Sequence, residues 1–487
     1  MGPVWSQRRP GQQERTIARL QEEKAQLQAR VAELEAENAR LKDQLAGAQK
    51  QSGNSSKPPS SDIVKPKGRG QKQRSQRRIG GQKGHPRHER PAFTPEQVDQ
   101  HIPHRLTRCP MDPSHRIIPA EGPEHQRRVQ QVELVEKPFR VTEHTAYSVW
   151  CEDCGCYHQA ALPQSVLRAG LFGPRLTSLT AYLKGRIHAS YSGIRDFLEE
   201  VVNVKVSRGY VAKLLRKAGQ AFDAPYGELI ELLPRQAQLN IDETGHKNNG
   251  QRTWIWCFRA TDFVVFKIDP SRGSEVLLRI LGSDFEGILG CDYYSAYRKY
   301  ARQCPVLVQF CLAHLIRDVK YLCEYPDPQV QAYGQGLLKG LQALFWTLHR
   351  KEDLSPGAFE SELCQAHDQI WNVAIPPSGS PATGYHRLIR NMAERFYKHG
   401  EAYFQFITNP TIDPTNNVAE QALRFVVIDR HVTQGTRSPR GQRICERLWT
   451  VMATCALHRR SSFEWMCRAI TACFKGKPAP SLVPDSS

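Results

Sequence analysis

Two apolar runs in this chain each end on an aspartate, and that pattern constrains the fold more than any other. The first is Leu239-Asn240-Ile241, which runs into Asp242-Glu243. The second lies in EGILGCDYYSAY, residues 286–297, and ends on Asp292. Between and around them the residues alternate as strands and helices do. Strands are predicted at residues 238–242, 253–259 and 263–268, then a helix at 274–281. A fourth strand ends on Asp292, a helix follows at once, and PVLVQFC at 305–311 is a fifth strand.

Three strands, helix, strand, helix, strand, helix is the order of a ribonuclease-H-like α/β fold. In that fold the first and fourth strands are neighbours, so the carboxylates of Asp242 and Asp292 meet. Two carboxylates that close repel each other unless a cation neutralises them. Hard oxygen ligands favour Mg²⁺ or Mn²⁺. Such ions activate water or a 3′-hydroxyl on one side of a phosphodiester and stabilise the leaving oxygen on the other. Alternation along the strand turns Glu243 away from Asp242, as a neighbour of the site and not a ligand.

That chemistry wants a third acid, and TIDPTNNVAEQALR at 411–424 offers Glu420. Asp413-Pro414 reads as a helix start, cap then first turn. Asn416, Asn417 and Glu420 share one face, with Arg424 a turn further along. Val418, Ala422 and Phe425 form the opposite, apolar face. The 128 residues from Asp292 to Glu420 exceed what a minimal fold of this type needs. Residues 326–410 therefore read as a helical insertion, with Trp346, Trp371 and Phe396 as core anchors. Residues 411–475 carry the Glu420 helix and the C-terminal helices, and residues 236–325 the first part of the core.

Charge points to a polyanionic partner. The chain carries a net charge of +18 over 487 residues. Ten Lys/Arg and one acid fall within residues 63–90, so half of the excess sits in one block. A block of that sign and density does not fold alone and attracts nucleic acid. Arg77, Arg78 and Lys83 are its candidate DNA contacts, within a Ser/Pro/Gly-rich basic linker at 50–100. No apolar run approaches the length of a membrane span, and the first residues lack the apolar core of a signal peptide. A cytoplasmic protein with reduced cysteines is expected.

Three further modules precede the core. In residues 13–49, Leu20, Leu27, Leu34 and Leu41 recur every seventh residue, with Ile17, Lys24, Val31 and Asn38 three positions earlier. That is a leucine-zipper pattern, and its polar a positions favour a parallel homodimer in register. Residues 101–160 hold Cys151 and Cys154, spaced as a zinc knuckle, with Cys109 upstream. Asp112 or His115 completes a four-ligand zinc site there, or the cysteines are a reduced structural pair. The alternating stretch at 132–151 makes the module zinc-ribbon-like. Residues 171–225 are helical. Ser207 caps a helix bearing Arg208, Lys213, Arg216 and Lys217, a tight turn after a shorter helix, which is helix-turn-helix spacing for DNA binding.

These motifs together resemble the transposases of the bacterial insertion-sequence-66 family. The resemblance runs in order through the leucine-repeat helix, NSSKPPSSD at 54–62, GGQKGH at 80–85 and the knuckle at Cys151 and Cys154. It continues through DET at 242–244, CDYYSAY at 291–297, CLAHLIRDV at 311–319 and NNVAEQALR at 416–424. It implies a DDE recombinase that cuts the ends of a mobile element and joins them to target DNA, with Asp242, Asp292 and Glu420 as the metal-binding triad. The family often has small accessory proteins, which are further candidate partners. His314 and Arg317 match the family helix after the fifth strand, where they position substrate or only pack. One departure is that the upstream knuckle has Asp112 where the family usually has a second cysteine. A ribonuclease-H-like nuclease, or a decayed copy that only binds DNA, are the competing readings.

Overall fold

The computed structural model describes residues 10–48, 92–103, 110–116, 118, 129–132, 134–135, 138–153, 156–375 and 385–483. Arg77, Arg78, Lys83, Cys109 and Cys154 lie outside the described residues. The first described element is a 39-residue helix, α1 (Pro10–Ala48). Its heptad leucines are uncovered: Leu20, Leu27, Leu34 and Leu41 are 43–67% exposed. Near its end, Asp43 meets Tyr325 and Arg387 of the main body.

A small hairpin follows, β1 (Ser148–Cys151) paired antiparallel with β2 (Cys156–Gln159). The longer strands expected upstream do not form: residues 138–147 have no regular structure. Val141 and Tyr147 are 71% and 76% exposed there, so no core holds the alternating side chains in a sheet.

Helices α2 (Gln164–Ala169), α3 (Pro174–Gly185), α4 (Tyr191–Glu200), α5 (Arg208–Ala221) and α6 (Asp223–Leu232) come next. Seven residues, 201–207, join α4 to α5, where a helix-turn-helix uses three or four. Ser207 caps α5 by accepting the Tyr210 N–H at 3.1 Å. Val211, Leu214, Leu215 and Ala218 of α5 are fully buried, and this helix packs against α3 and α4.

The central sheet comprises β3 (Gln238–Asn248), β4 (Gln251–Arg259), β5 (Val264–Asp269), β6 (Ile288–Cys291) and β7 (Leu307–Phe310), with α7 (Ser274–Leu281) before β6 and α8 (Ser295–Gln303) after it. Its order is β5-β4-β3-β6-β7. The first three strands are antiparallel; β6 and β7 run parallel to β3. Helices α9 (Leu312–Cys323), α10 (Pro328–His349), α11 (Pro356–Ala374), α12 (Arg387–His399) and α13 (Gln405–Thr408) fill the span before α14 (Asn417–Thr433), α15 (Pro439–Leu457) and α16 (Ser462–Phe474).

The two sheet faces are covered differently. Ile255, Cys257, Phe266 and Ile268 pack against Leu423 and Val426 of α14 and Trp449 of α15. Leu239, Ile241, Trp256, Phe258 and Val265 join the larger core with α7, α8 and the N-terminal helices. In α10 the buried row is Leu337, Leu341 and Leu344, and Trp346, two residues past that row, points outward at 63% exposed. It is therefore not a core anchor, whereas Phe396 is fully buried. No helix among the described residues is long and apolar enough to cross a membrane.

Candidate active site

The parallel register between β3 and β6 sets the centre of the site. Gln238, Leu239 and Asn240 pair with Ile288, Leu289 and Gly290. Continuing that register by two residues puts Asp242 opposite Asp292, on the sheet face that α14 covers. Asp242 does not end its strand, as the sequence suggested. β3 runs on to Asn248, paired with β4, while β6 stops at Cys291. Asp242 thus sits where the parallel pairing gives out and the sheet opens. The missed signal is Asn249-Gly250. Both residues have positive φ (50° and 81°) and close a two-residue hairpin between β3 and β4. Gly290 is required: a Cβ there would come within 2.4 Å of the Asn240 amide.

That amide leads to the helix carrying Glu420. Asn240 Nδ2 donates to Asn416 Oδ1 at 2.9 Å, and Asn416 Nδ2 donates to the Ile241 carbonyl at 2.8 Å. The Asn416 backbone N–H meets Cys311 Sγ at 3.1 Å. Asn416 is 1% exposed, so its amide positions the strand, and it is not available as a substrate contact. Helix α14 starts at Asn417, four residues later than Asp413. The Asp413 carboxylate instead accepts from the Thr415 N–H and hydroxyl, both at 2.7 Å, closing a turn before the helix. The buried row of α14 is Ala419, Leu423 and Val426, one position from the face inferred from the sequence. Further ties fix the helix along β3. Arg430 donates to the Thr244 hydroxyl at 3.1 Å, and the Thr436 N–H to the Lys247 carbonyl at 2.9 Å. Gly435, at φ +93°, lets the two backbones approach: a Cβ would lie 2.3 Å from that carbonyl.

Glu420 keeps a third of its side chain exposed. Arg317 Nη2 lies 3.3 Å from Glu420 Oε1 and donates to His314 Nε2 at 2.9 Å. A guanidinium can only donate, so Nε2 is the acceptor and the imidazole hydrogen is on Nδ1, which faces Glu420 Oε1 at 3.5 Å. Burial, then the Arg317 charge, lowers His314 to about 4, so the ring is neutral near pH 7. Both residues lie against the Glu420 carboxylate, Arg317 through Nη2 and His314 through Nδ1. Cys311, His314 and Glu420 also bring one ligand atom each within 4.8 Å of one another, a group able to hold a cation. A cation on Nδ1 would require the other tautomer and cost the Arg317 bond.

Burial and neighbouring charge shift the acids of this site. Burial, then the charges of Glu243, Asp292 and Glu420, push the Asp242 carboxyl well above the ordinary range. Burial raises Asp292 too, against the Tyr294 N–H that it accepts at 2.9 Å and the Arg272 charge. Glu243 points to the other sheet face and is buried. Arg272 donates to its Oε1 through Nε (2.8 Å) and holds it in an ion pair with Nη2 2.7 Å away, and the Tyr297 hydroxyl donates to Oε2. Burial and Asp292 still raise Glu243 to about 7. Sequence reading missed Arg272 and Tyr297, because 29 and 54 residues separate them from Glu243 and no local pattern links them.

Other residues singled out from the sequence lie apart. Asn417 and Arg424 are exposed on α14, and Arg208 and Lys213 are exposed on α5. Lys217 is no free DNA contact: its ammonium caps α2, donating to the Arg168 and Ala169 carbonyls at 2.7 and 2.8 Å. Arg216 is half-buried beside it. Asp112 and His115 meet each other at the surface, 3.7 Å apart.

A family model described as Transposase IS66 family matches residues 169–444, more than half of the chain and all of the sheet. A second model, a family of unknown function (DUF6444), matches residues 7–91. Two relatives come from Sinorhizobium fredii. The uncharacterized protein y4qI is 24% identical over 394 residues, covering 73% of this chain and 69% of its own length. The uncharacterized protein y4hP is 22% identical over 387 residues, covering 69% of this chain and 66% of its own. The sheet, the helix strapped across it and the match that spans both place this chain in the IS66 family of transposases.

Proposed function

We propose that this protein cleaves the ends of a bacterial insertion sequence and joins the freed 3′-hydroxyls to target DNA, on a ribonuclease-H-like core. One observation carries this reading. Asp242, from the middle of β3, feels the charges of both Asp292 and Glu420, which come from elements 50 and 178 residues further along the chain. The strand order β5-β4-β3-β6-β7 supports the fold assignment.

The donor set fits Mg²⁺ or Mn²⁺: three carboxylates, no soft ligand among them, two shifted upward chiefly by burial. Bound there, such an ion neutralises the acids, activates the attacking oxygen and stabilises the leaving one. The chain's own part is positioning. Asn416 and Arg430 hold α14 to β3, Arg317 and His314 orient Glu420, and Gly290 admits the Asn240 amide. Geometry fixed before the substrate arrives is where such a site gains its rate.

DNA would reach the site through the basic segment with Arg77, Arg78 and Lys83, and through Arg208 and Lys213 on α5. The uncovered leucine row of α1 supports a parallel homodimer. Cys109, Cys151 and Cys154, with Asp112 or His115, are a donor set of the kind zinc takes.

The test is cleavage of a DNA fragment bearing the flanking element ends, with Mg²⁺, by wild type and by Asp292→Ala. Cutting that the substitution abolishes while binding persists supports the reading. Equal cutting by both removes Asp292 from the mechanism. Nicking without joining of paired ends identifies a nuclease.

A further inference from the structure

A run of alternating cations and aromatic rings leads to the site from the sheet. The Arg252 guanidinium lies 4.6 Å from the Trp254 ring centroid. Arg272 is the same distance from Trp254 and 3.8 Å from the Tyr294 centroid. Tyr294 is two residues past Asp292, and its N–H holds the Asp292 carboxylate. Arg272 therefore lies near enough for its charge to act on Asp292, on the sheet face away from α14.

Its loop is rigid. Asp269 accepts the Ser271 N–H at 2.9 Å, Ser271 accepts the Gly273 N–H at 2.9 Å, and Trp256 Nε1 donates to the Ser271 carbonyl at 3.1 Å. The guanidinium is locked by Glu243 through Nε and Nη2. Its Nη1 edge makes no hydrogen bond among the described residues, and 29% of the side chain is exposed. A residue whose task ended at neutralising buried Glu243 would need only the inner edge. Here the outer edge has no hydrogen-bond partner among the described residues, and the guanidinium packs against the Trp254 and Tyr294 rings.

We propose that Arg272 binds a DNA backbone phosphate flanking the scissile one, and that Arg252, Trp254 and Tyr294 line the track along which that strand enters. A planar fork held by a carboxylate presents its free edge to a phosphate oxygen with little entropy left to lose. The rings pack against the guanidiniums and hold their planes, so the contact reads the backbone and not the bases. The proposal rests on the transposase reading and adds to it the residue that sets the strand's register. Arg272 acts as a binding and positioning residue, since it faces the backbone next to the reacting phosphate.

The experiment measures full-length protein binding to a fluorescein-labelled DNA duplex at fixed Mg²⁺ across a range of monovalent salt. Wild type, Glu243→Gln, and Glu243→Gln combined with Arg272→Gln are compared. The double variant leaves no buried carboxylate without its partner, so loss of folding does not confuse the result. Each phosphate contact contributes about 0.7–0.9 to the slope of log affinity against log salt. The slope is expected to match wild type in Glu243→Gln and to fall by about one contact in the double variant. A double variant whose slope equals that of Glu243→Gln overturns the proposal and leaves the transposase reading standing. A wild type whose binding does not depend on salt overturns both.

Discussion

The side-chain amide of Asn416 donates to the carbonyl of Ile241 at 2.8 Å, one residue before Asp242. The helix that carries Glu420 is thereby pinned to the strand that carries Asp242. Asn416→Ala removes this bond and leaves a buried carbonyl unpaired, at a cost of about 1–3 kcal/mol. Urea unfolding should show that loss. Cleavage should fall further than stability alone explains, while DNA affinity holds. A variant with wild-type cleavage would mean that α14 is placed by its other ties.

Metal should stabilise this protein through the acid cluster. Asp242 and Asp292 are both raised above the ordinary carboxylate range, so the folded chain holds protons that the unfolded chain has released. That contribution to stability is present at low pH and is lost as pH rises through the shifted values. Mg²⁺ or Mn²⁺ offsets the loss. A larger thermal shift with Mg²⁺ at pH 7.5 than at pH 5.5 is expected by differential scanning fluorimetry, and almost none in Asp242→Asn.

Arg317→Gln should lower the cleavage rate and leave DNA binding intact. The substitution frees Glu420 from Arg317 and frees His314 Nε2. Single-turnover cleavage against DNA concentration separates the two effects. A change in half-saturation alone would mean that Arg317 contacts DNA.

His246 predicts a pH response of the opposite sign. It is 2% exposed, its Nε2 lies 3.2 Å from the Thr436 hydroxyl, and burial lowers it to about 4. Between that value and the usual ~6.5, the unfolded chain takes up a proton that the fold refuses. The contribution is intact above that window and is lost as pH falls through it. In His246→Gln, the change of urea midpoint between pH 6.5 and 4.5 should shrink by about one proton's worth. An unchanged profile would assign the acid sensitivity elsewhere.

Leu27→Glu and Leu34→Glu place charges in the uncovered row of α1. Light scattering should show a dimer for the wild type and a smaller species for the double variant. The same mass for both would remove the zipper from the assembly.

The sequence made Asp242, Asp292 and Glu420 visible because each is tied to a local period: an apolar run ended by an acid, or an amphipathic helix. Strand order followed from the same periods. What stayed hidden depends on partners far away in the chain. Lys217 looks like a basic helix residue until α2 places two carbonyls beside it. Asn416 looks like a free amide until β3 passes it. Glu243 was correctly turned from Asp242 by alternation, but its link to Arg272 spans a strand pair and a loop. Trp346 misled because size suggests burial, whereas the helix period puts it off the leucine row. The end of β3 was misplaced because polar Thr244-Gly245-His246 hides a strand that only β4 supports.

The straps between α14 and β3 have a consequence for the ribosome. Both aspartates leave the ribosome well before the helix that supplies Glu420 and before the α15 residues that cover β5, Glu446, Thr450 and Thr454. Contacts this distant in sequence form last. A nascent chain that has not yet reached α14 therefore holds both aspartates with no third acid beside them and with one face of β5 still bare.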